Sequence, residues 1–226
     1  MTATTHPSIT ENIKAVRDRV AAACERVRRP PSSVTLIGVS KTVEPEHVVA
    51  ALEAGLTDLG ENRVQEGAAK QTTLATLGFH PTWHLIGHLQ TNKVRTALEH
   101  FACIHSVDSV RLLDSLESRA PRVIDLFIEV NVAGEETKTG IAPGELPRLL
   151  EHAFPLKQLN IRGLMTIAPL TASERDLHAH FAALRELAER HQLRDLSMGM
   201  TNDFEIAIEE GATHIRVGRA IFGERA

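Results

Sequence analysis

Eight short β-rich runs alternate with helical segments along the chain, and this alternation most limits what the chain can fold into. Strands separated by helices are typical of parallel βαβ units, because a parallel connection must cross over the sheet. Eight such units without a break in composition predict one closed (β/α)8 barrel, a single domain over residues 1–226, although ~250 residues is more usual. The predicted strands are Val34–Ser40, Thr57–Gly60, Trp83–Gly87, Cys103–Val107, Val123–Val130, Ile161–Ile167, Leu196–Met200 and His214–Val217.

Helical spacing of apolar residues predicts the connecting helices. The first helix begins at the capping box Ser8-Ile9-Thr10-Glu11 and ends before Pro30, so an extra N-terminal helix precedes the barrel. A doubly wound open sheet is the structural alternative, since it has the same alternation of strands and helices. The further predicted helices are Glu46–Ala54, Arg63–Leu77, Thr91–His100, Ser109–Arg119, Gly144–His152, Ser173–His191 and Phe204–Glu210, with one more helical turn at Arg219–Phe222.

Composition and charge exclude several classes of protein. Apolar residues make up 42% of the chain, and no run approaches the ~18 apolar residues of a membrane helix. The formal charge of −4 gives no support for a nucleic-acid partner. Cys24 and Cys103 form no disulfide framework, and residues 1–10 lack the basic start and apolar core of a signal peptide. We therefore expect a cytoplasmic protein with no membrane partner.

Polar residues gather where the predicted strands end. In a barrel, the functional residues lie at the carboxyl ends of the strands. Lys41 directly follows the run Val34–Ser40, so we expect its amine at the mouth of a site; a solvated charge that ends the strand is the alternative. The other residues at these ends are Glu61, Asn62, Gly87, His88, Asp108, Asn131, Pro169, Met200, Thr201, Arg216 and Gly218.

The C-terminal segment combines features that suit a phosphate. Gly199 permits a close turn, Thr201 can cap the next helix, and Gly218 opens a short helical turn. Loops after the seventh and eighth strands hold a phosphate in many barrels, although ordinary capping explains each residue taken alone. A phosphate cradle near a lysine suits pyridoxal 5′-phosphate (PLP), because the aldehyde of PLP forms a Schiff base with an amine. An arginine cannot accept the proton of the PLP ring nitrogen, which leaves a weaker electron sink.

Seven segments resemble the pyridoxal phosphate homeostasis proteins, whose fold is similar to the barrel domain of alanine racemase. They are VSKT at 39–42, GENRVQE at 60–66, WHLIGHLQTNK at 83–93, EVNVAGEETKTG at 129–140, RGLMTIAP at 162–169, LSMGMTNDFEIAI at 196–208 and IRVGRAIFGER at 215–225. The resemblance runs nearly from end to end and implies a TIM barrel that binds PLP.

The same resemblance implies which residues would bind the cofactor. Lys41 would form the covalent aldimine with PLP, Asn62 would line the ring, and Arg216 would face the ring nitrogen. Gly218, with Ser197 and Thr201 of the preceding loop, would hold the phosphate. Thr201 departs from the family pattern, in which serine is more usual, but it keeps the hydroxyl.

Three functions compete: a PLP carrier or buffer, a PLP-dependent amino-acid racemase, and an enzyme that forms a Schiff base with a phosphorylated carbonyl substrate. In alanine racemases a tyrosine serves the cofactor face opposite the lysine, and this sequence contains no tyrosine. A cofactor with one open face suits exchange better than controlled carbanion chemistry. We therefore expect PLP homeostasis without efficient amino-acid turnover and assign no catalytic residue. Possible partners are PLP-dependent apoenzymes, and the expected state is a monomer.

Twelve histidines raise the question of a metal site. His80, His84 and His88 are spaced by four, but Pro81 and Gly87 break any helix, so the ligand face of an i, i+4 helical motif does not form. We expect no metal and a structural or solvent role for these side chains, with His84 placed near the cofactor as an open possibility.

Overall fold

The eight strands form a closed barrel in chain order, in which every neighbouring pair is parallel and β8 returns to β1. The structure, a computed structural model, describes residues 8–135, 138–169 and 171–223. The predicted (β/α)8 barrel is confirmed, and the open sheet is wrong because β1 pairs with both β2 and β8. The strands are β1 (Thr35–Val39), β2 (Asp58–Glu61), β3 (Thr82–Leu85), β4 (Cys103–Val107), β5 (Ile124–Glu129), β6 (Leu159–Met165), β7 (Asp195–Met200) and β8 (His214–Val217).

The helices surround the barrel at the places that the apolar spacing predicts. They are α1 (Ile9–Arg26), α2 (Pro45–Glu53), α3 (Val64–Thr76), α4 (Val94–His100), α5 (Val110–Glu117), α6 (Leu146–Ala153), α7 (Glu174–Arg190), α8 (Phe204–Glu209) and α9 (Arg219–Phe222). Two predicted helices, those at Thr91 and Gly144, start with a 3-10 turn, Thr91–Lys93 and Pro143–Glu145. Across the described ranges, no helix has the length and apolar character needed to cross a bilayer.

Alternating side chains divide each strand between two environments. On β2, Leu59 faces the surrounding helices and joins the apolar core, which includes Leu85 and Ile104 of the next strands. The barrel interior is different, because aromatic and polar side chains fill it. The His105 and Phe127 rings stack there with centroids 4.4 Å apart.

The N-terminal helix α1 is tied to the elements that follow β7 and β8. The Asn12 side-chain amide donates to the carbonyl oxygen of Ile221 in α9 at 3.0 Å. The Arg29 guanidinium, just beyond α1, donates to the carbonyl oxygens of Ile208 and Ala212 at 3.1 and 2.9 Å. The carbonyl oxygens that accept these bonds lie at or just beyond the C-terminal ends of α8 and α9, where helix carbonyls have spare acceptor capacity. The extra helix therefore braces the end of the barrel.

We expect Asn12→Ala to lower the free energy of unfolding by about 1 kcal/mol, because it removes one half-buried hydrogen bond between α1 and α9. Urea unfolding followed by circular dichroism measures this difference. Lys14→Ala is the matched control, since the partner of Lys14 within the described residues is the exposed Asp18 of its own helix. Equal stability of the Asn12 variant and the control would show that this hydrogen bond contributes nothing to stability.

Candidate functional site

Lys41 begins a tight turn at the carboxyl end of β1. The backbone N–H of Ser40 donates to the Gly60 carbonyl oxygen at 3.0 Å, so the ladder with β2 continues up to Lys41. Thr42 has a φ of +59°, a left-handed conformation that is unfavourable for a β-branched residue. The Glu66 carboxylate of α3 accepts a hydrogen bond from the Thr42 backbone N–H. The half-buried Lys41 is thus held at the mouth by a turn that α3 fixes.

A buried ion pair lies behind this turn, between the barrel wall and α3. The Lys70 ammonium donates to the Glu61 carboxylate at 2.6 Å and to the Ser40 carbonyl oxygen at 2.5 Å. The Ser40 hydroxyl also donates to Glu61 at 2.7 Å. The Glu61 side chain is 0% exposed, so burial raises the pKa of its carboxyl group, while Lys70 and Ser40 oppose that rise. The residue just before Lys41 is therefore anchored by charge as well as by the sheet.

Asn62 follows β2 next to this turn and has an unsatisfied acceptor. Its side-chain oxygen is buried and has no hydrogen-bond partner among the described residues. The backbone at Gly87 packs closely against the backbone of Asn62. Only glycine fits there, because a Cβ at Gly87 would lie 2.3 Å from the Asn62 backbone carbonyl oxygen. Unpaired buried polar atoms are uncommon in folded proteins. The orphaned amide oxygen is what a site for a polar ligand would present.

Arg216 places a guanidinium inside the barrel below the mouth. Its side chain is buried, with 4% of the residue exposed. Its Nη1 donates to the Ser197 hydroxyl oxygen at 2.7 Å, and its Nη2 donates to the Thr166 carbonyl oxygen at 2.8 Å. Burial lowers the pKa of Arg216 to about 10, although the charges of Asp203 and Glu129 oppose the shift. Arg216 therefore stays charged at neutral pH, held between β6 and β7.

The two carboxylates that favour this charge are themselves buried. Burial raises the pKa of Glu129, and the Thr139 hydroxyl, which donates to its carboxylate, opposes that rise. Burial also raises the pKa of Asp203, whose carboxylate accepts the backbone N–H of Met200. Both side chains balance the Arg216 cation, so the interior does not hold an isolated charge.

The loop after β7 meets the start of α9 beside β8. Gly199 has a φ of +92°, and a Cβ there would lie 2.6 Å from the Ala207 Cβ, which confirms that only glycine fits this turn. Thr201 lies in the next turn. Gly218 immediately precedes α9, and its carbonyl oxygen accepts the N–H groups of Ile221 and Phe222 at 2.9 and 3.0 Å.

The structure gathers five of the six predicted site residues on one side of the barrel, at the mouth or, for Arg216, just below it. Lys41 follows β1, Asn62 follows β2 and Thr201 follows β7, while Arg216 and Gly218 belong to the end of β8. These four strands are consecutive neighbours in the order β7-β8-β1-β2, because the barrel closes through β1 and β8. The five residues therefore share one half of the barrel rim.

Ser197, the sixth predicted site residue, lies deeper than we expected. It is 0% exposed, and its hydroxyl oxygen contacts Arg216 at 2.7 Å and His105 at 2.8 Å. The hydroxyl is thus held by two side chains in the barrel interior, and a contact of Ser197 with the phosphate stays a prediction. Its position links Ser197 to Arg216.

Sequence reasoning missed the polar residues of the barrel interior. His84 Nδ1 lies 3.0 Å from His105 Nε2, and His84 Nε2 lies 3.0 Å from Asp58 Oδ1. His84 is thus committed to interior partners. The sequence signal that could have found them is the two-residue alternation of side chains along β2 and β4. Alternate side chains point into the barrel, and Asp58 and His105 stand at such interior positions.

One group in the described part of the chain has metal-ligand atoms close together, and it differs from the His80, His84 and His88 series. The candidate atoms of His84, Cys103 and His105 lie within 4.8 Å of one another. Burial raises the pKa of the Cys103 thiol far above its ordinary value, so without an ion this side chain is a neutral thiol. The imidazole nitrogens already have hydrogen-bond partners. The group is better explained as packing.

Comparisons with known proteins agree with this geometry. The family model described as "Alanine racemase, N-terminal domain" matches residues 11–226. The alanine racemase of Corynebacterium glutamicum has the same fold, with a TM-score of 0.72 at 14% identity, and the match covers 96% of this chain and 60% of that one. The chain is thus a barrel of the alanine racemase N-terminal class.

Closer relatives define the family within this class. The pyridoxal phosphate homeostasis protein of Aquifex aeolicus is 44% identical over 224 residues, covering 95% of this chain and 97% of the relative. The structure of PipY from Synechococcus elongatus with PLP bound has a TM-score of 0.85 and 40% identity, covering 96% of this chain and 100% of that one. The chain belongs to the pyridoxal phosphate homeostasis protein family.

We expect Lys70→Met to lower the free energy of unfolding by about 3–5 kcal/mol at neutral pH, because it leaves Glu61 as an uncompensated buried charge. The loss should shrink as the pH falls. Burial raises the pKa of Glu61 and Lys70 opposes that rise, so removing Lys70 moves the folded-state pKa further above the unfolded value. The added penalty for ionised Glu61 is therefore complete above this higher folded pKa and disappears below the unfolded pKa. Urea titrations at pH 5 and pH 8 test this direction.

The matched control is the double variant Lys70→Met with Glu61→Gln, which removes both charges and keeps the side-chain volumes. It should recover most of the loss and show little pH dependence between pH 5 and pH 8. A single variant whose deficit stays constant with pH, or a double variant no more stable than the single, would contradict a role for the buried charge.

Proposed function

We propose that this protein binds PLP at the half of the barrel rim formed by the ends of β7, β8, β1 and β2 and serves to store, buffer or deliver the cofactor. The observation that carries the proposal is the placement of Lys41 at the carboxyl end of β1 and of the buried Arg216 cation on the adjacent strand β8. Relatives named for pyridoxal phosphate homeostasis support it, as does the PLP-bound PipY structure. In this proposal residues 1–226 act as one cofactor-binding domain.

The residues present fit this cofactor. PLP supplies an aldehyde that forms a Schiff base with an amine, and Lys41 is the amine that we assign to it. The orphaned amide oxygen of Asn62 offers an acceptor beside the cofactor ring. Thr201 and the backbone at Gly218 border the place that we assign to the phosphate. Arg216, which can only donate hydrogen bonds, is assigned to the ring nitrogen.

We propose a carrier rather than an enzyme. The sequence has no tyrosine to serve the cofactor face opposite Lys41. A charged Arg216 at the ring nitrogen can only donate a hydrogen bond, whereas a carboxylate would favour a protonated nitrogen. The ring is therefore not activated as an electron sink. We therefore assign no catalytic residue and no metal. The proposed receivers are PLP-dependent apoenzymes, and the proposed setting is a monomer in the cytoplasm.

We expect borohydride reduction of the PLP-loaded protein to fix the cofactor on Lys41, because a reduced Schiff base is a stable secondary amine. Peptide mapping by mass spectrometry locates the adduct. Lys41→Ala should abolish the adduct and the visible absorption band of the cofactor. A main adduct on Lys93 or Lys138 would place the cofactor elsewhere and overturn the assignment.

We expect slow exchange of the α-proton when the loaded protein is incubated with L- and D-amino acids in deuterated water. A positioned acid–base partner typically contributes ~10²–10⁴-fold, and the proposed site has no tyrosine in that position. Nuclear magnetic resonance of the amino acids measures both exchange and inversion. Rapid exchange with inversion, at a kcat near the ~10 s⁻¹ typical of enzymes, would make the protein a racemase.

A further inference from the structure

Five side chains form a continuous hydrogen-bonded chain through the barrel interior. It runs from Arg216 Nη1 to Ser197 Oγ (2.7 Å), from Ser197 Oγ to His105 Nδ1 (2.8 Å), from His105 Nε2 to His84 Nδ1 (3.0 Å) and from His84 Nε2 to Asp58 Oδ1 (3.0 Å). We call these residues the interior relay. They come from five different strands, and Asp58 lies at the opposite, N-terminal end of the barrel.

The donors and acceptors of the interior relay have one consistent direction. Arg216 can only donate, so the Ser197 oxygen accepts from it. Ser197 has one other partner among the described residues, so its hydroxyl proton points to His105 Nδ1. His105 then carries its proton on Nε2 and donates to His84 Nδ1, and His84 donates from Nε2 to Asp58. Every proton in this arrangement meets an acceptor.

The electrostatics agree with this direction. Burial lowers the pKa of His105 well below its ordinary value, and the neighbouring His84, His214 and Arg216 lower it further, so the His105 ring is neutral. Burial alone raises the pKa of Asp58, but hydrogen bonds from His84 and Thr57 outweigh it and lower the pKa below its ordinary value. A neutral imidazole and a terminal carboxylate are what the direction requires.

We propose that the interior relay positions Arg216: it fixes the guanidinium by orienting the Ser197 acceptor and carries its polarisation to the Asp58 carboxylate. Ser197, His105, His84 and Asp58 are therefore positioning residues. The inference rests on the proposed function, because Arg216 is the residue assigned to the ring nitrogen of PLP. Hydrogen bonds in a chain polarise one another, so the Ser197 oxygen is a stronger acceptor within the relay than alone.

The first experiment needs no cofactor. Long-range nitrogen–proton correlation spectra of protein labelled with ¹⁵N-histidine report which ring nitrogen carries the proton. The relay predicts protonated Nε2 and unprotonated Nδ1 at both His84 and His105, assigned by comparing His84→Gln and His105→Phe. A proton on His105 Nδ1 would overturn the proposal. So would one equivalent of zinc or copper bound at His84, Cys103 and His105 in the purified protein.

The second experiment measures PLP affinity and the absorption band of the bound cofactor. We expect His105→Phe, which keeps a ring against Phe127, and Ser197→Ala each to weaken PLP binding at least fivefold and to shift the same band. The double variant should be no weaker than the weaker single variant, because both substitutions break one chain. Additive losses, or an unshifted band, would contradict the relay.

His214→Phe is the matched control, because His214 is an interior imidazole that contacts the His105 and Phe127 rings but lies outside the relay. It should leave the absorption band unchanged. Urea unfolding of each variant identifies any that fail to fold, and the histidine spectra of Ser197→Ala then decide: the His105 Nδ1 resonance should shift because it loses the Ser197 hydroxyl as its donor, while Nε2 stays protonated by its contact with His84. If wild-type protein binds no PLP, the proposed function fails, whereas the histidine spectra still judge the relay.

Discussion

The burial of one cation, Arg216, is the constraint on which much of the barrel interior depends. An arginine that is 4% exposed loses most of its hydration and must recover that free energy from its neighbours. The Ser197 hydroxyl and the Thr166 carbonyl oxygen supply acceptors, and the Glu129 and Asp203 carboxylates supply compensating charge. An apolar barrel interior would leave the guanidinium uncompensated. The polar side chains around Arg216 in the barrel interior are therefore explained by the need to compensate this charge.

The mouth of the site is supported from both sides of the barrel wall. From inside, Arg216 is held by β6 and β7. From outside, Lys70 of α3 pairs with Glu61 and with the Ser40 carbonyl oxygen, which fixes the residue that precedes Lys41. In each case, removing one partner would lower the stability by more than the intact pair contributes, because the remaining buried group would be left without compensation. The strand ends are therefore constrained in position even though they carry the turns of the site.

The barrel and most of the mouth could be predicted from the sequence, whereas the interior could not. Alternation of strands and helices predicts the closed fold, and strand ends predict Lys41, Asn62, Thr201, Arg216 and Gly218. Ser197 was expected in the phosphate loop because it belongs to the same motif as Thr201. The pairing of β7 with β8 shifts between Ser197 and Met200, so spacing along one strand does not give the depth of a side chain. The contacts of His84 and His105 likewise depend on the register between neighbouring strands, which cannot be read from one sequence.

A carrier and an enzyme make opposite demands on the group opposite the ring nitrogen of PLP. An enzyme that draws electrons into the ring gains from a carboxylate there, because the carboxylate favours a protonated nitrogen. A carrier has to retain the cofactor without making it reactive toward the amino acids around it. Arg216 suits the second demand, since its pKa of about 10 keeps it charged and donating at neutral pH. Under the proposed function, the polar interior of the barrel keeps a bound cofactor unreactive by holding this one cation in place.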